Sequence, residues 1–381
     1  MASLVKRHSA SCKGQPGRVV KDSPKEQDCT CNPTWYVVLN TGPGGRVKIG
    51  RDRKAAQQRL KLIDAEVAKG EYRPLKNITF NEWADEWFNG LRRPVKSTLR
   101  GYRPTLDYAS EAFGSKLVRH LTATDVDDFL SKLAELSTST QAKHLRVLSS
   151  CLKAAVQRQY AAGNPVDALT PGERPRAEKN EAAYFEHDEL PKLFSEFRDF
   201  DRPLFLAALK TGMRLGELLA LTWGDVNLGE RTIRVTKSYT AGIGVTPPKT
   251  EAGKRTVDIE NGAVTLFEAL IEQLGDVPSD DALVFPSTSG SYRSGSWIDR
   301  QLYKGMARAG LPRVGVTGKP RVFHSFRHTF AKVAMENGAQ LPWLQRHMGH
   351  ESLKVTSDIY GHFGSAARKL EVAKLEEAFN V

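Results

Sequence analysis

A polar segment without hydrophobic periodicity divides this chain of 381 residues into two parts. It runs from Pro171 to Glu181, contains two prolines among charged residues, and offers no apolar stripe for a helix or strand to bury. Upstream, residues 78–160 repeat their apolar positions at helical spacing, whereas helical and strand patterns are mixed after about residue 183. A chain of this length with such a break is expected to form several domains.

The first part of the chain predicts two different folds. Residues 1–33 show no hydrophobic period, and then Trp35–Asn40 and Arg46–Gly50 have the pattern of two strands joined by a glycine-rich turn. A helix is expected from Lys54 to Lys69. Residues 78–160 predict an all-helical unit, so a small α+β unit should precede an all-α one.

The second part predicts a mainly helical fold with a small sheet. A long helix is expected over Leu204–Leu221. Thr232–Thr236 and Arg255–Ile259 read as two strands, and more helices follow them. The fold class is therefore multidomain, and its last unit is mainly α, mixed α+β, with a small antiparallel sheet.

The positive charge of the chain is concentrated near its start. The net charge is +12, and the first 75 residues hold 15 Lys and Arg against 7 Asp and Glu. A basic N-terminal module favours a polyanionic partner, because each phosphate that it neutralises releases counterions. A solvated basic face that aids solubility is the alternative.

Tyr360 is the candidate nucleophile of this sequence. It lies ten residues after His350, in a segment rich in polar side chains. A phenol with a pKa near 10 is only about one-thousandth ionised at pH 7, so tyrosine alone is a poor nucleophile. To attack a phosphodiester it needs a base for its proton, cations for the phosphorane oxygens and an acid for the leaving oxygen.

Two arginines are candidates for binding the phosphate. Arg214 lies in Thr-Gly-Met-Arg-Leu-Gly-Glu-Leu and Arg327 in His-Ser-Phe-Arg-His. A guanidinium fits two phosphoryl oxygens and stays charged at any working pH. Glu217 is spaced to orient Arg214 from one helical turn away. A buried structural Arg–Glu pair is the alternative reading.

Histidines and one lysine are candidates for proton transfer. His324 precedes Arg327 by one turn and His350 follows Gly349, while Lys249 lies in the connection between the two predicted strands. Each has a structural or solvated alternative. Three other histidines near them are interpreted as supporting or incidental: His328, His347 and His362.

The sequence gives little support to metal or nucleotide chemistry. It has no nuclease-type carboxylate cluster, no His-Glu-x-x-His and no phosphate-binding loop for ATP. The extreme N-terminus carries four candidate zinc ligands, although Cys-x-Cys is not the usual spacing of a finger. No membrane span or secretion signal is recognised, so a cytoplasmic protein is expected. The four candidate ligands are His8, Cys12, Cys29 and Cys31.

Taken in order, these residues resemble the catalytic set of the tyrosine recombinases, and specifically of phage-type integrases with an N-terminal arm-binding domain. The resemblance implies cutting and rejoining of duplex DNA at attachment sites through a 3′-phosphotyrosyl intermediate, without a cofactor for catalysis. It implies that Arg214, Arg327 and His350 bind the phosphate and that Lys249 is the acid for the 5′ oxygen. It further implies that His324 assists proton transfer and that Tyr360 forms the covalent link.

The same resemblance implies an architecture and partners. Residues 1–75 would bind arm sites, 76–170 the core site, and 183–381 would be catalytic, after a linker at 171–182. A tail helix over Ala366–Phe379 would dock on a neighbouring protomer. A tetramer on DNA is expected, with a directionality factor and a host DNA-bending protein as further partners. Candidate DNA contacts are Arg46, Lys48, Arg51, Arg53, Lys96, Arg100, Lys143 and Arg146.

Two other functions use similar features. A DNA-binding protein without cleavage activity would keep the basic residues and lose part of the catalytic set. A type IB topoisomerase would share the phenol chemistry and relax DNA without choosing a site. The complete set argues against the first, and the basic N-terminal module favours recombination over the second.

Overall fold

The computed structural model describes residues 2–10, 12, 18–22, 32–39, 46–68, 75–92, 96–176, 182–248 and 250–360. The chain forms two compact units, residues 1–178 and 179–381. None of the described helices is long and apolar enough to cross a bilayer. Several predicted positions lie outside the described residues, namely Cys29, Cys31, Lys249, His362 and the tail helix Ala366–Phe379.

The first unit begins with a four-stranded antiparallel sheet covered by one helix. The strand order is β2-β1-β3-β4, and apolar side chains of the sheet and of the helix share one small core. The predicted strand pair and helix are confirmed. The elements are β1 (Ala2–Arg7), β2 (Val19–Lys21), β3 (Thr34–Leu39), β4 (Arg46–Gly50) and α1 (Arg53–Ala68).

Residues 1–33, which show no hydrophobic period in the sequence, contain the strands β1 and β2. β1 lies between β2 and β3, and it pairs with both. Its successive residues Leu4 and Val5 point to opposite faces of the sheet, yet both are buried. A strand covered on both faces shows no alternation of polar and apolar residues, so the period is absent from the sequence.

The rest of the first unit is helical, as predicted. Apolar side chains from all four helices form one core, with Trp83 and Phe129 completely buried. The Trp83 indole donates a hydrogen bond of 3.1 Å to the Cys151 carbonyl, so its polar atom is satisfied inside that core. The helices are α2 (Phe80–Gly90), α3 (Lys96–Phe113), α4 (Ala123–Ser131) and α5 (Thr138–Gln157).

The second unit surrounds one large apolar core with helices and short strands. Phe205 and Phe326 lie at its centre, with ring centroids 5.6 Å apart. The helices are α6 (Glu189–Ser195), α7 (Arg202–Thr211), α8 (Leu215–Ala220), α9 (Asn261–Leu274), α10 (Gly295–Arg308), α11 (His324–Glu336), α12 (Leu341–Met348) and α13 (Leu353–Tyr360). The strands are β5 (Val226–Asn227), β6 (Thr232–Val235), β7 (Ser238–Thr240), β8 (Gly244–Thr246) and β9 (Arg255–Asp258).

The predicted strand pair of this unit is confirmed, and its connection is more elaborate than expected. β6 pairs with β9 in an antiparallel register that places Ile233 opposite Val257. The short strand β5 completes a three-stranded sheet. Between β6 and β9 the chain forms a separate hairpin of β7 and β8. The segment of Lys249 therefore connects β8 to β9.

The prediction of one helix over Leu204–Leu221 is wrong, because the chain breaks between α7 and α8. Gly212 adopts a left-handed conformation with φ of 63° and ends α7. Arg214 is extended and precedes α8. The apolar pattern hides this break because Met213, inside it, is 1% exposed and fills the core like a helical residue.

Gly212→Ala is expected to destabilise the second unit more than Gly310→Ala. Both glycines have positive φ, and a non-glycine residue there costs about 1–2 kcal/mol. A Cβ at Gly212 would also lie 2.7 Å from the Phe330 ring, whereas a Cβ at Gly310 meets nothing within 4 Å. Urea unfolding measures both free energies, and equal losses would show that the Phe330 contact is unimportant.

Candidate active site

The break between α7 and α8 presents Arg214 at the surface of the second unit. Its side chain is 38% exposed, and Nη1 donates to Glu217 Oε1 at 2.8 Å. Nη2 donates to the Gly349 carbonyl at 3.2 Å. The predicted pairing of Arg214 with Glu217 is thus present in the structure. Arg214 combines a fixed orientation with access to solvent, which a buried structural pair would lack.

Glu217 is held between two arginines. It is 5% exposed and accepts hydrogen bonds of 3.0 and 2.9 Å from Arg255, in addition to those from Arg214. Burial by itself raises the pKa of Glu217, but the hydrogen bond and charge of Arg255, together with Arg214, lower it to about 2. Glu217 is therefore a carboxylate at any working pH.

Arg255 is a site residue that the sequence did not reveal. It begins β9, and Nε also donates to the His347 carbonyl at 2.7 Å. It therefore ties the strand after the Lys249 segment to Glu217 on α8 and to the end of α12. Its pattern in the sequence is that of any polar residue at the start of a strand, so only the fold reveals its partners.

Arg327 is buried and bound by main-chain oxygens. It is 2% exposed, and Nη1 donates to the Gly212 carbonyl at 2.6 Å while Nη2 donates to the Met348 carbonyl. In the described part of the chain no carboxylate forms an ion pair with it. Burial first, and then the charge of Arg214, lower the pKa of Arg327 to about 9, so it stays charged at neutral pH.

His350 is joined to Arg327 and to α13. Its Nε2 lies 3.2 Å from Arg327 Nη2, and its Nδ1 lies 2.9 Å from Thr356 Oγ1. Because the guanidinium only donates, Nε2 accepts, and Nδ1 carries the proton and donates to Thr356. Burial first, and then neighbouring arginines, lower the pKa of His350 to about 4. The imidazole is therefore neutral at pH 7.

Tyr360 lies beside this group with its hydroxyl covered. It is 1% exposed and packs against Met335, Leu344 and Met348. Its ring is parallel to that of His350, with centroids 6.3 Å apart. Burial raises the pKa of Tyr360 to about 12, despite the nearby arginines. In this state the phenol is protonated.

The hydroxyl of Tyr360 contacts His328, a histidine that the sequence analysis interprets as supporting or incidental. His328 Nδ1 lies 2.6 Å from Tyr360 Oη. His324, predicted to serve in proton transfer, is exposed at the start of α11 and meets the His328 ring edge-on at 4.7 Å between centroids. His328 thus lies between His324 and the phenol.

His347 has a structural role. Its Nε2 lies 3.0 Å from the Thr211 carbonyl, and its ring packs on Phe330 and Trp343. It therefore connects α12 to the end of α7, where Gly212 accepts from Arg327.

The charges of the site favour an anionic ligand. Among the described residues three arginines surround one carboxylate, that of Glu217, and the neighbouring histidines are neutral. A buried guanidinium whose partners are all neutral, here two carbonyl oxygens and a neutral imidazole, is stabilised when an anion approaches. In the described ranges no cluster of three His, Cys, Asp or Glu residues could hold a metal.

Comparison with known proteins assigns the second unit to a family. Residues 183–365 match the model of the phage integrase family. This unit is a tyrosine recombinase domain. The recombinase domain holds all the catalytic candidates, and the described ones run from Arg214 to Tyr360.

The chain is also similar to named recombinases and integrases. It is 25% identical over 384 aligned residues to a XerC-like tyrosine recombinase of Caldanaerobacter subterraneus. This alignment covers 87% of this chain and 95% of that protein. It is 25% identical over 285 residues to the ICEBs1 integrase of Bacillus subtilis, covering 71% of this chain and 74% of that one.

Solved structures share the fold of the recombinase domain and of the region before it. The Tn1549 transposon integrase, in complex with a circular intermediate DNA, has a TM-score of 0.66 at 18% identity over 78% of this chain and 99% of that chain. The lambda integrase in a tetramer bound to a Holliday junction has a TM-score of 0.58 at 18% identity, over 88% of this chain and 93% of that chain.

Arg255→Met is expected to destabilise the recombinase domain by about 3–5 kcal/mol, because it leaves the buried Glu217 with Arg214 alone. Adding Glu217→Gln should recover part of this loss, since the uncompensated charge disappears. Arg234→Met, on the neighbouring strand β6, is the matched control. Its side chain is 65% exposed and lies 3.8 Å from Asp225, so a change within about 0.5 kcal/mol is expected.

Urea unfolding is measured for Arg255→Met, for Glu217→Gln, for the variant that combines the two, and for Arg234→Met. Losses for Arg255→Met that are no larger than those for Arg234→Met would contradict the bridging role of Arg255. So would strictly additive effects of Arg255→Met and Glu217→Gln.

Acidification is expected to destabilise the recombinase domain below about pH 6.5. The pKa of His328 is lowered to about 3, and those of His347 and His350 to about 4, chiefly by burial. Unfolding returns these groups to about 6.5, so the unfolded chain binds more protons between the two values. The stabilisation is complete above about pH 6.5 and is lost as the pH falls toward 4.

The free energy of urea unfolding, measured between about pH 7.5 and 4.5, tests this expectation. Its slope should correspond to an uptake approaching three protons from these histidines. A flat profile over that range would show that they titrate normally in the folded chain.

Proposed function

We propose that this protein is a site-specific recombinase that cuts and rejoins duplex DNA at attachment sites, and so integrates or excises phage or mobile-element DNA. The observation that carries the proposal is the phenol of Tyr360 beside an arginine-rich site, in which no carboxylate of the described residues pairs with Arg327. Such a site is suited to one anionic phosphodiester and to attack by a phenol. The similarity to recombinases and integrases supports the same reaction.

In this reaction Arg214, Arg327 and His350 hold the phosphate. Arg214 is accessible and stays charged, so its fork can meet non-bridging oxygens directly. The anion offsets the charges that lower the pKa of His350, and a protonated His350 then donates to the phosphorane. Since Tyr360 is 1% exposed, DNA binding has to uncover its hydroxyl before attack.

Attack of the Tyr360 oxygen on phosphorus forms the 3′-phosphotyrosyl bond and breaks the bond to the 5′ oxygen. Lys249 is proposed to protonate that leaving oxygen, and His324 to assist proton transfer. Glu217 fixes Arg214 through the hydrogen bond at 2.8 Å. The phosphotyrosyl bond keeps the energy of the original diester, so resealing needs no nucleotide or metal cofactor.

The parts before the recombinase domain are proposed to grip DNA. Residues 1–75 would bind arm sites, 76–170 the core site, and 171–182 would link them to the domain at 183–381. Lys143 and Arg146 on α5 are exposed, and Lys143 Nζ would lie 3.7 Å from a Cβ at Gly101 on α3, beside exposed Arg100.

These basic residues of α3 and α5 form one exposed group suited to a duplex backbone. Replacing Lys143 and Arg146 by Gln should lower the salt dependence of DNA binding by about one counterion each, and an unchanged dependence would contradict their contact. At the start of α1, exposed Arg53 pairs with Asp22 at 2.9 Å, so it has a structural partner as well. Arg51 is exposed, and the proposal also includes Arg46, Lys48 and Lys96.

A structural zinc site is proposed at the N-terminus. His8 Nδ1 and Cys12 Sγ are buried and lie 3.7 Å apart, a separation that two ligands of one tetrahedral ion would have. Cys29 and Cys31 would complete the set. Zinc analysis of the purified protein tests this, and a chain that folds with no bound zinc would contradict it.

Assembly follows from the same proposal. Four protomers would act together on two duplexes, with the tail helix Ala366–Phe379 docked on a neighbour. A directionality factor and a host DNA-bending protein would act with them, in the cytoplasm of the host cell.

Tyr360→Phe is expected to abolish covalent attachment to DNA and to leave DNA binding near that of the unaltered chain, because only the nucleophilic oxygen is removed. The measurement incubates the protein with fragmented source DNA, denatures it in detergent and sequences the attached strands. Attachment at one short sequence, dependent on Tyr360, would support the proposal and identify the core site.

Other outcomes favour other functions. Attachment scattered over all sequences would favour a type IB topoisomerase. Attachment that persists in Tyr360→Phe would overturn the choice of nucleophile. DNA binding without attachment would favour a protein that binds DNA and does not cut it.

A further inference from the structure

His328 is in direct hydrogen-bond contact with the reacting oxygen of Tyr360. Its Nδ1 lies 2.6 Å from the phenol oxygen, within the range of a strong hydrogen bond. The ring planes are inclined at 48°, with centroids 5.7 Å apart, so the contact is made through the polar atoms and not by stacking. His328 directly follows Arg327 on α11, so the phosphate-binding residue and this contact share one helix.

The direction of the hydrogen bond follows from the charge states. Burial raises the pKa of the Tyr360 phenol to about 12 and lowers the pKa of His328 to about 3. The phenol is therefore the donor, and Nδ1 of the neutral imidazole presents its lone pair. The geometry of a base that is ready to receive a proton is already present.

The other histidines of the site are placed less well for this task. His350 Nε2 accepts from Arg327, and its Nδ1 faces Thr356. His324 contacts the His328 ring, with centroids 4.7 Å apart and planes at 83°. Within the described ranges, His328 is the histidine that bonds to the nucleophile.

We infer that His328 accepts the phenolic proton of Tyr360 when the phenol attacks phosphorus. This inference rests on the proposed function, in which Tyr360 is the nucleophile. As the bond from oxygen to phosphorus forms, the proton moves to Nδ1 and the bond to the 5′ oxygen breaks. The leaving oxygen receives its proton from the acid on its own side. On resealing, the imidazolium returns the proton to the departing phenol.

A bound phosphodiester strengthens this base. After burial, electrostatic coupling to His324, Arg327 and His350 lowers the pKa of His328, and of these three Arg327 is the group that is charged at pH 7. The phosphate adds a negative charge beside Arg327, and the phosphorane that forms carries more, so the imidazolium is stabilised as the attack proceeds. In the unliganded enzyme that negative charge is missing, so nothing stabilises the imidazolium and the proton stays on the buried phenol.

The test compares His328→Asn with His187→Asn on the core site found by covalent trapping. Asparagine offers an oxygen near the position of Nδ1 but takes up no proton. Formation of the covalent intermediate is expected to slow by about 10²–10³-fold in His328→Asn and to increase with pH, since the phenol then has to ionise unaided. His187 is exposed, and its replacement should leave the rate unchanged.

A modified substrate distinguishes the base from the acid. In DNA whose leaving 5′ oxygen is replaced by sulfur, the departing thiolate needs no proton. A Lys249→Ala variant should regain speed on this DNA, and His328→Asn should stay slow. Recovery of the His328→Asn rate on the sulfur substrate would overturn the inference. So would a His328→Asn rate on ordinary DNA that equals or exceeds that of the unaltered chain, because the hydrogen bond would then only hold the unliganded state.

Two controls keep the result specific. If the unaltered chain shows no Tyr360-dependent attachment to DNA, the result counts against the proposed function itself, whatever the result for His328→Asn. If His328→Asn fails to fold, ¹⁵N-histidine NMR replaces it. One unprotonated Nδ1 signal should shift between the unaltered chain and Tyr360→Phe. Absence of any such shift would remove the hydrogen bond on which the inference depends.

Discussion

The arrangement of the site depends on the buried charge of Arg327. A guanidinium at 2% exposure needs strong acceptors, and here they are carbonyl oxygens of Gly212 and Met348, at the ends of α7 and α12. The carboxyl end of a helix carries partial negative charge, so two helix ends share the stabilisation of one cation. Because neither acceptor is a full anion, the site keeps an unbalanced positive charge for a phosphate.

The neighbouring groups follow from that arrangement. Gly349 ends α12 with φ of 63° and gives its carbonyl to Arg214, and the next residue is His350. Glu217 fixes Arg214 from α8, and Arg255 fixes Glu217 from β9. Arg327 donates to the carbonyl of Met348 and Arg214 to that of Gly349, and the next residue is His350 itself. Both arginines and His350 are thus joined through the consecutive residues 348–350. A shift of α12 would move all three together.

The sequence predicts most side chains of the site and few of their contacts. Arg214, Glu217, Arg327, His350 and Tyr360 were recognised by residue type and order, and the structure brings these five together. His328 and Arg255 were missed as partners, because their roles depend on distances between segments far apart in the chain. The break at Gly212 was missed since Met213 continues the apolar pattern. β1 was missed because both of its faces are covered.

The use of main-chain acceptors also decides which substitutions the site tolerates. A partner side chain is lost with one codon change, but a carbonyl remains whatever residue carries it. Around Arg327, therefore, variation of side-chain chemistry should matter less than variation of backbone conformation. The vulnerable positions are Gly212 and Gly349, where a Cβ would approach Phe330 at 2.7 Å and the Ala252 carbonyl at 2.9 Å. The orientation of the two arginines, Arg214 and Arg327, thus depends largely on two residues that have no side chain.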